Sequence, residues 1–598
     1  MTPARFLWAG VDFPYSYTAD SAEKCFFMTS CCEITKSQDA AGKLIIIGGG
    51  SAAFAAATRA VELGAERVTI INSGLPTGGT CVNVGCVPSK TLIRAAESLH
   101  RAKSNPFAGI KTGGSLADFS TVIQEKRQLV AEMRQAKYVN VIRDLPQVEL
   151  IHGRAQLLGA GSVQAGNRHL SAEHLIIATG ATPAIPPVPG LVDAGYLTNE
   201  SAFELETLPE SLIVLGGRYI ALECAQMFAR FGSRVTVLQR SDHILPTETE
   251  DITDALAGYL KAEGMEIHTG VKIERVDRSD AGVTVKAVIH GERRTITAAQ
   301  ILVATGRRPN TGDFGLAAAG VQLDEYGFIK VSPTLETSQA GIWAAGDVIG
   351  GNMFVYTAAY EGALAAENAL TGARRKTDYT ALPWVIFTDP QFCGVGMDER
   401  QATAAGYDAE VASLSLDHVP RAAAARDTRG LIKLIRDKQT DLLLGARILA
   451  PEGAELLMEL ALAIKFGITV RQIRESFHPY LTLGEGIKLA AITFEKDVAQ
   501  LSCCAMRSER SSGTRARATS SITSHRRRTS RSASRGGPTP ATPFASGTAR
   551  SSSTNSRPAS CTVAAPRSAD PGWSSIPSGS PRRSGRCARR GSSWAGWS

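Results

Sequence analysis

The sequence predicts an α/β fold in which a parallel sheet is built twice, with a smaller α+β domain behind it. Two observations predict it. The continuous apolar strands Lys43–Ile47 and Ser211–Leu215 each run into a glycine-rich turn and a helix, and a second strand follows each, Val68–Ile71 and Arg234–Leu238. Apolar runs without alternation mark strands covered on both faces, as in a parallel sheet. From about Ala381 the pattern changes to short strands (Trp384 to Phe387, Leu431 to Ile435, Leu442 to Ile448) and a helix from about Glu452 to Phe466, with no glycine-rich turn.

At 598 residues the chain has room for about three or four domains. Its net charge of +8 belongs to one end: residues 507–598 hold 17 Arg, no Lys and only Glu509 and Asp570 as acids, so the preceding 506 residues stand at −7. A mildly acidic body carries no nucleic-acid footprint. Eleven cysteines in a chain this long are not a disulfide scaffold, and their clustering points to chemistry or metal binding. No window offers about 18 uninterrupted apolar residues, so no membrane insertion is expected. The N-terminus has no apolar signal-peptide core, which leaves the cytoplasm as the default compartment. Residues 1–41 lack periodicity, and poor order is expected there. Met28 offers a second start, and Cys31-Cys32 read equally as a soft-metal pair or as incidental.

The first unit continues from its strand into Gly48-Gly49-Gly50-Ser51-Ala52-Ala53 and an Ala-rich helix. Gly48 allows the tight turn, Gly50 lets the backbone approach a pyrophosphate, and Ala53 permits close helix–sheet packing, with the anion on the helix N-terminus. Asn72 stands where an acid usually holds the ribose hydroxyl; an amide can still accept a hydrogen bond there. The second unit reads Gly216-Gly217-Arg218-Tyr219-Ile220-Ala221-Leu222-Glu223, with Arg218 on the middle glycine position. After its second strand comes Gln239-Arg240 rather than an acid. Arg240 can pair with a ribose 2′-phosphate, which favours NADPH over NADH; a solvated strand-end arginine is the plainer reading. Two such Rossmann-like units imply two nucleotide cofactors. Short apolar strands then end in Ala178-Thr179-Gly180, in Ala304-Thr305-Gly306 and in Gly346-Asp347, the last placing an acceptor where a sugar or ribityl hydroxyl can sit.

Between the units lies Gly78-Gly79-Thr80-Cys81-Val82-Asn83-Val84-Gly85-Cys86-Val87-Pro88-Ser89-Lys90. Good helix formers follow Cys86, so the pair is expected at a helix start, where the dipole and free N–H groups favour a thiolate. Zinc would need two further ligands that no neighbour supplies. A structural disulfide fits poorly with a chain of cytosolic type. A redox-active dithiol remains. Near the far end, Cys503-Cys504 form a vicinal pair; oxidation would close only a strained ring, and two soft thiolates suit a soft cation that accepts linear coordination. Beyond Met506 the chain is Ser, Arg, Gly, Pro, Ala and Thr, too poor in apolar surface to offset chain entropy, so 506–598 is expected to be a disordered Ser/Arg-rich tail. Arg without Lys, with scattered Trp and Cys, has the look of GC-rich DNA read out of frame; that is a hypothesis about the gene.

Taken together, Lys43 to Ala505 resemble the FAD-dependent pyridine nucleotide–disulfide oxidoreductases, through Gly79-Thr80-Cys81 to Lys90, the two turns, Ala304 to Asn310 and Gly346-Asp347. Within them, His478-Pro479-Tyr480-Leu481-Thr482 and Leu501-Ser502-Cys503-Cys504-Ala505 are similar to the mercuric reductases. The resemblance implies an FAD-binding domain (42–195 and 313–380), an NADPH-binding domain (196–312) and a C-terminal α+β dimerisation domain (381–505), in a homodimer with active sites at the subunit interface. It implies FAD contacts at Gly48, Gly50, Ser51, Ala53, Gly79, Thr80, Lys90, Thr179, Gly180, Gly346 and Asp347, and NADPH contacts at Gly216, Tyr219, Glu223, Arg240 and Gly306. Cys86 would be the flavin-side thiolate and Cys81 the exchanging one, with Lys90 and Glu223 paired nearby and Tyr219 moving aside for the nicotinamide. Hg(II), delivered as thiol complexes, would be caught by Cys503 and Cys504 of one subunit and passed to Cys81 and Cys86 of the other. Tyr480, Tyr138 and His478 would belong to that site, although Tyr138 reads nearly as well as a partly buried helix residue. The rival is a thioredoxin- or glutathione-type disulfide reductase, which uses a His with a Glu five residues on; here that position is Leu483, and Glu485 comes seven after His478. A passive soft-metal-binding protein is the reading from another class, and two intact nucleotide units argue against it.

Overall fold

The computed structural model describes residues 43–497. The N-terminal extension with Cys31-Cys32, the Cys503-Cys504 pair and the 506–598 tail lie outside the described residues.

The first unit is a five-stranded parallel sheet in the spatial order Ile342–Ala344, His174–Ile177, Lys43–Ile47, Arg67–Asn72, Val148–His152. The chain builds outward from Lys43–Ile47 on one side, then returns to its other side. That reversal opens a crevice at the carboxyl ends of Lys43–Ile47 and His174–Ile177, the place where open α/β sheets bind ligands. The second unit repeats the plan with four parallel strands, Glu266–His268, Arg234–Leu238, Ser211–Leu215 and Gln300–Val303. Each unit carries a three-stranded antiparallel meander, Ala155–Ser171 in the first and Val271–Ala298 in the second.

The glycines of the two turns meet the same obstacles. Gly48 has φ +129°, and a Cβ there would lie 2.1 Å from the Ala178 carbonyl oxygen; Gly216 has φ +116°, with the Ala304 oxygen at 2.4 Å. The Ala-Thr-Gly segments thus press against the turns, and a two-stranded ribbon, Ala181–Pro183 with Arg307–Pro309, ties one unit's segment to the other's. Behind the first turn, the Ser51–Glu62 helix lies against the Val355–Thr371 helix so closely that a Cβ on Gly362 would be 2.1 Å from the Ala52 oxygen.

The third region is a five-stranded antiparallel sheet ordered Trp384–Ile386, Gln391–Gly396, Leu443–Ala450, Leu431–Asp437, Ala409–Ser415. The helix expected from Glu452 to Phe466 is shorter. Glu452 sits at φ +51°, a 3₁₀ turn covers Gly453–Leu456, and the α-helix runs only over Leu457–Lys465. A left-handed residue cannot continue a right-handed helix, so the start moves inward. Among the described residues no helix is long and apolar enough to cross a membrane.

Candidate active site

Cys81 lies on a short helix, Gly79–Asn83, and Cys86 is the first residue of the long Cys86–Lys103 helix. The loop before them is fastened by Asn83, whose amide donates to the Pro76, Thr77 and Gly79 carbonyls while its oxygen accepts from Arg134 Nη1 at 3.0 Å. A Cβ on Gly79 would lie 2.6 Å from Gly50 Cα, so the cysteine loop and the first nucleotide turn touch backbone to backbone. The sulphurs therefore stand at the crevice of the first sheet.

Both cysteines are free thiols, and they are not equivalent. The Cys86 thiol is lowered to about 7, first by the hydrogen bond from Cys81, then, against the opposing effect of burial, by Lys90 and its own backbone N–H at the helix start. The Cys81 thiol is pushed up by donating that hydrogen bond and by burial. The helix start expected to create the thiolate is thus a lesser contributor than the neighbouring sulphur. Lys90, one turn along, gives Nζ to Glu223 Oε2 at 2.6 Å and lies 4.4 Å from the Phe387 ring centre. Glu223 Oε1 accepts the Phe387 N–H at 3.0 Å.

Tyr138 comes from a π-helical turn, Gln135–Val139, of the kind that re-aims side chains at sites. Its ring meets Phe54 edge-on at 4.8 Å, its hydroxyl lies 3.2 Å from Ser51 Oγ, and burial, with both cysteines adding, pushes the phenol pKa up and keeps it protonated. It therefore faces the sulphurs and the first turn together. His478 and Tyr480 are not part of this cluster within one chain. The His478 ring, its side chain 5% exposed, is 2.8 Å from Glu459 Oε1, and Tyr480 is exposed. Glu485 instead accepts the Leu481 N–H. Among the described residues no three His, Cys, Asp or Glu side chains form a ready metal site; the dithiol offers two sulphurs.

Residues 42–362 match the family model for pyridine nucleotide-disulphide oxidoreductases, and residues 382–491 match that family's dimerisation domain. The chain belongs to this family. It is 43% identical over 462 residues to a mercuric reductase of Staphylococcus aureus, covering 77% of this chain and 84% of that one. A mercuric reductase of Streptomyces lividans is 43% identical over 468 residues, covering 77% and 98%. Among solved structures, the HOCl-induced flavoprotein disulfide reductase RclA of Escherichia coli in its Cu(II) complex superposes with TM-score 0.68 at 31% identity, covering 75% and 98%. LpdA of Mycobacterium tuberculosis gives 0.67 at 27%, covering 76% and 100%.

Members of this family use FAD and NADPH, and the residues of this chain fit both. Asp347 heads a 3₁₀ turn beside the first crevice, its carboxyl raised by burial, with Arg307 Nε 3.6 Å away. Arg307 Nε and Thr357 Oγ1 are buried with no hydrogen-bond partner among the described residues, donors left over for a hydroxyl-rich ligand. Thr179 and Asn310 exchange side-chain hydrogen bonds with each other's carbonyls, fixing Gly180 between them. Asn72 donates to the Leu75 carbonyl and covers Gly49. In the second unit Arg218 and Arg240 are exposed and unpaired among the described residues. Arg218 has φ −104°, ψ −170°, nearly the −94°, −170° of Gly50, so the turn's shape survives the substitution.

Sequence reasoning missed Phe387, Asn83, Glu459, Trp384 and the role of Arg307. Asn83 and Arg307 lie inside quoted motifs, and a buried-polar argument would have found them; the others act only through contacts distant in sequence.

Proposed function

We propose that this chain reduces Hg(II) to Hg(0) with NADPH as a cytoplasmic mercury-detoxifying enzyme, working as a homodimer. The observation that carries it is the thiol–thiolate pair of Cys81 and Cys86 at a nucleotide crevice, in a chain 43% identical to mercuric reductases. For a dithiolate complex the reaction is Hg(SR)2 + NADPH + H+ giving Hg(0) + 2 RSH + NADP+, a two-electron reduction of the metal. FAD, when bound, supplies the relay of electron pairs between the nicotinamide and the sulphur centre.

Tyr219 moves aside to admit the nicotinamide, and Arg240 takes the ribose 2′-phosphate. Gly48, Gly50, Ser51 and Ala53 hold the first nucleotide's pyrophosphate side, with Asp347 on a hydroxyl; Gly216 and Gly306 shape the second site. Lys90, steadied by Glu223, adds to the Cys81 hydrogen bond in keeping Cys86 deprotonated. Cys503 and Cys504 of the partner subunit take Hg(II) from its thiol complex by ligand exchange and hand it to Cys81 and Cys86, whose two sulphurs satisfy linear coordination. Tyr138 borders this inner site, with Tyr480 and His478 of the partner subunit closing it. A dithiol that works in its reduced form and draws on NADPH suits a reducing compartment, which supports the cytoplasm. The domain assignment follows the same plan, with 42–195 and 313–380 for FAD, 196–312 for NADPH and 381–505 for dimerisation.

The test is NADPH oxidation by the purified FAD-loaded protein given Hg(II) with excess thiol. Activity should depend on Hg(II) and vanish in Cys86→Ala. Reduction of glutathione disulfide or thioredoxin with no response to Hg(II) would overturn the reading in favour of a disulfide reductase.

A further inference from the structure

Tyr219 is the first residue of the Tyr219–Phe231 helix, directly after the second nucleotide turn, and one helical turn before Glu223. Its hydroxyl makes no hydrogen bond among the described residues; its ring stacks on the indole of Trp384, 5.9 Å between centres and 13° between planes. Trp384 belongs to a different part of the molecule, the edge strand Trp384–Ile386 of the antiparallel sheet. There it is firmly placed. Phe392 meets it edge-on at 5.0 Å, and the Arg447 guanidinium lies 5.5 Å from its ring. Arg447 is itself pinned by Glu248 Oε2 at 2.6 Å and by the Val395, Gly396 and Ala446 carbonyls. Gly394 makes the room: a Cβ there would lie 2.6 Å from the indole and 2.8 Å from Arg447 Cδ. Tyr219, whose ring also packs against the core of the second unit, is thus stacked on an indole braced from two other sides.

We propose that Trp384 is a positioning residue that holds Tyr219 in the closed position over the nicotinamide site, so that the stacking free energy opposes entry of the nucleotide. The inference rests on the reading above that NADPH is the reductant and that Tyr219 covers its nicotinamide site. A closed state favoured by a stack lowers apparent nucleotide affinity by the fraction of molecules that are open. An offset aromatic stack of ordinary strength corresponds to about two- to tenfold in that equilibrium.

NADP+ is titrated into the FAD-loaded dimer, with binding followed by the flavin absorbance change. The titration is repeated for Trp384→Phe, Trp384→Ala and Tyr219→Leu, with flavin content confirming that each variant is folded. The midpoint should fall about two- to tenfold in Trp384→Ala and less in Trp384→Phe. The indole emission of Trp384, taken as wild type minus Trp384→Phe, should change with the same midpoint as the absorbance. In Tyr219→Leu that emission should no longer respond. An unchanged or weaker midpoint in both Trp384 variants, an indole emission indifferent to NADP+, or no NADP+ binding at all would overturn the proposal. NADP+ binding with these shifts but no Hg(II) turnover would leave the gate standing and remove only the assigned substrate.

Discussion

Replacing Cys81 by Ala should cost the active site its thiolate while leaving the fold in place. An ordinary cysteine ionises near 9 on the scale that puts Cys86 at about 7, so at pH 7 about half of Cys86 is thiolate against about 1% for an unassisted thiol. The largest lowering influence is the Cys81 hydrogen bond, and burial works in the opposite direction. Removing Cys81 leaves Lys90 and the helix N–H to oppose burial alone, so the Cys86 midpoint should rise by at least about one unit, and its thiolate at pH 7 should fall to about a tenth or less. The sign is plain: thiolate exists above the midpoint, so wild type keeps its nucleophile down to about pH 7, whereas the variant loses it on descending through about pH 8 or above. The assay is iodoacetamide alkylation of the reduced enzyme from pH 5 to 10, read as the rate of modification of the Cys86 peptide. Because nucleophilicity falls with thiol acidity, the midpoint of the profile is compared and not the plateau. If Cys86 in Cys81→Ala titrates at or below the wild-type midpoint, the neighbouring sulphur is not what stabilises the thiolate, and the distinct roles given to the two cysteines fail.

Gly48→Ala should yield protein without flavin, because the added Cβ meets a backbone carbonyl and the residue sits at φ +129°; Gly49→Ala meets only the Asn72 side chain, at 2.4 Å, and should fold with weakened flavin retention. The ratio of flavin to protein absorbance after purification separates the two, and equal flavin content would refute the difference. Glu459→Gln removes the charge that faces His478, and should lower thermal stability by about 1 kcal/mol, since Glu459 is partly exposed. It should also raise the KM for Hg(II)–thiol complexes while leaving NADP+ binding unaltered; a shift in NADP+ binding instead would place this pair in the wrong site.

What the sequence made legible was whatever the backbone demands locally. The strand–turn–helix of each unit is contiguous, and Gly48 and Gly216 are required by positive φ and by a carbonyl packed against them, so motif and cause coincide within a few residues. Even the departure at Arg218 was visible, although only the structure shows that its backbone adopts the same conformation as Gly50. Contacts between distant segments leave no such mark. Glu459 reaches His478 from the helix Leu457–Lys465, where a spacing rule built on the residues after the histidine could not look. Trp384 reads in the sequence as one more apolar strand residue. Its stack on Tyr219, and the Arg447–Glu248 pair behind it, exist only because the antiparallel sheet is set against the second nucleotide unit. The same holds for acidity at the dithiol. Cys86 heads a helix, which the sequence announced, yet its thiolate depends most on Cys81, whose placement depends in turn on Asn83 fastening the loop and on Gly79 meeting Gly50. The chemistry of the pair is therefore a property of the crevice that two separate loops build, and a five-residue spacing of cysteines carries it only where that crevice forms.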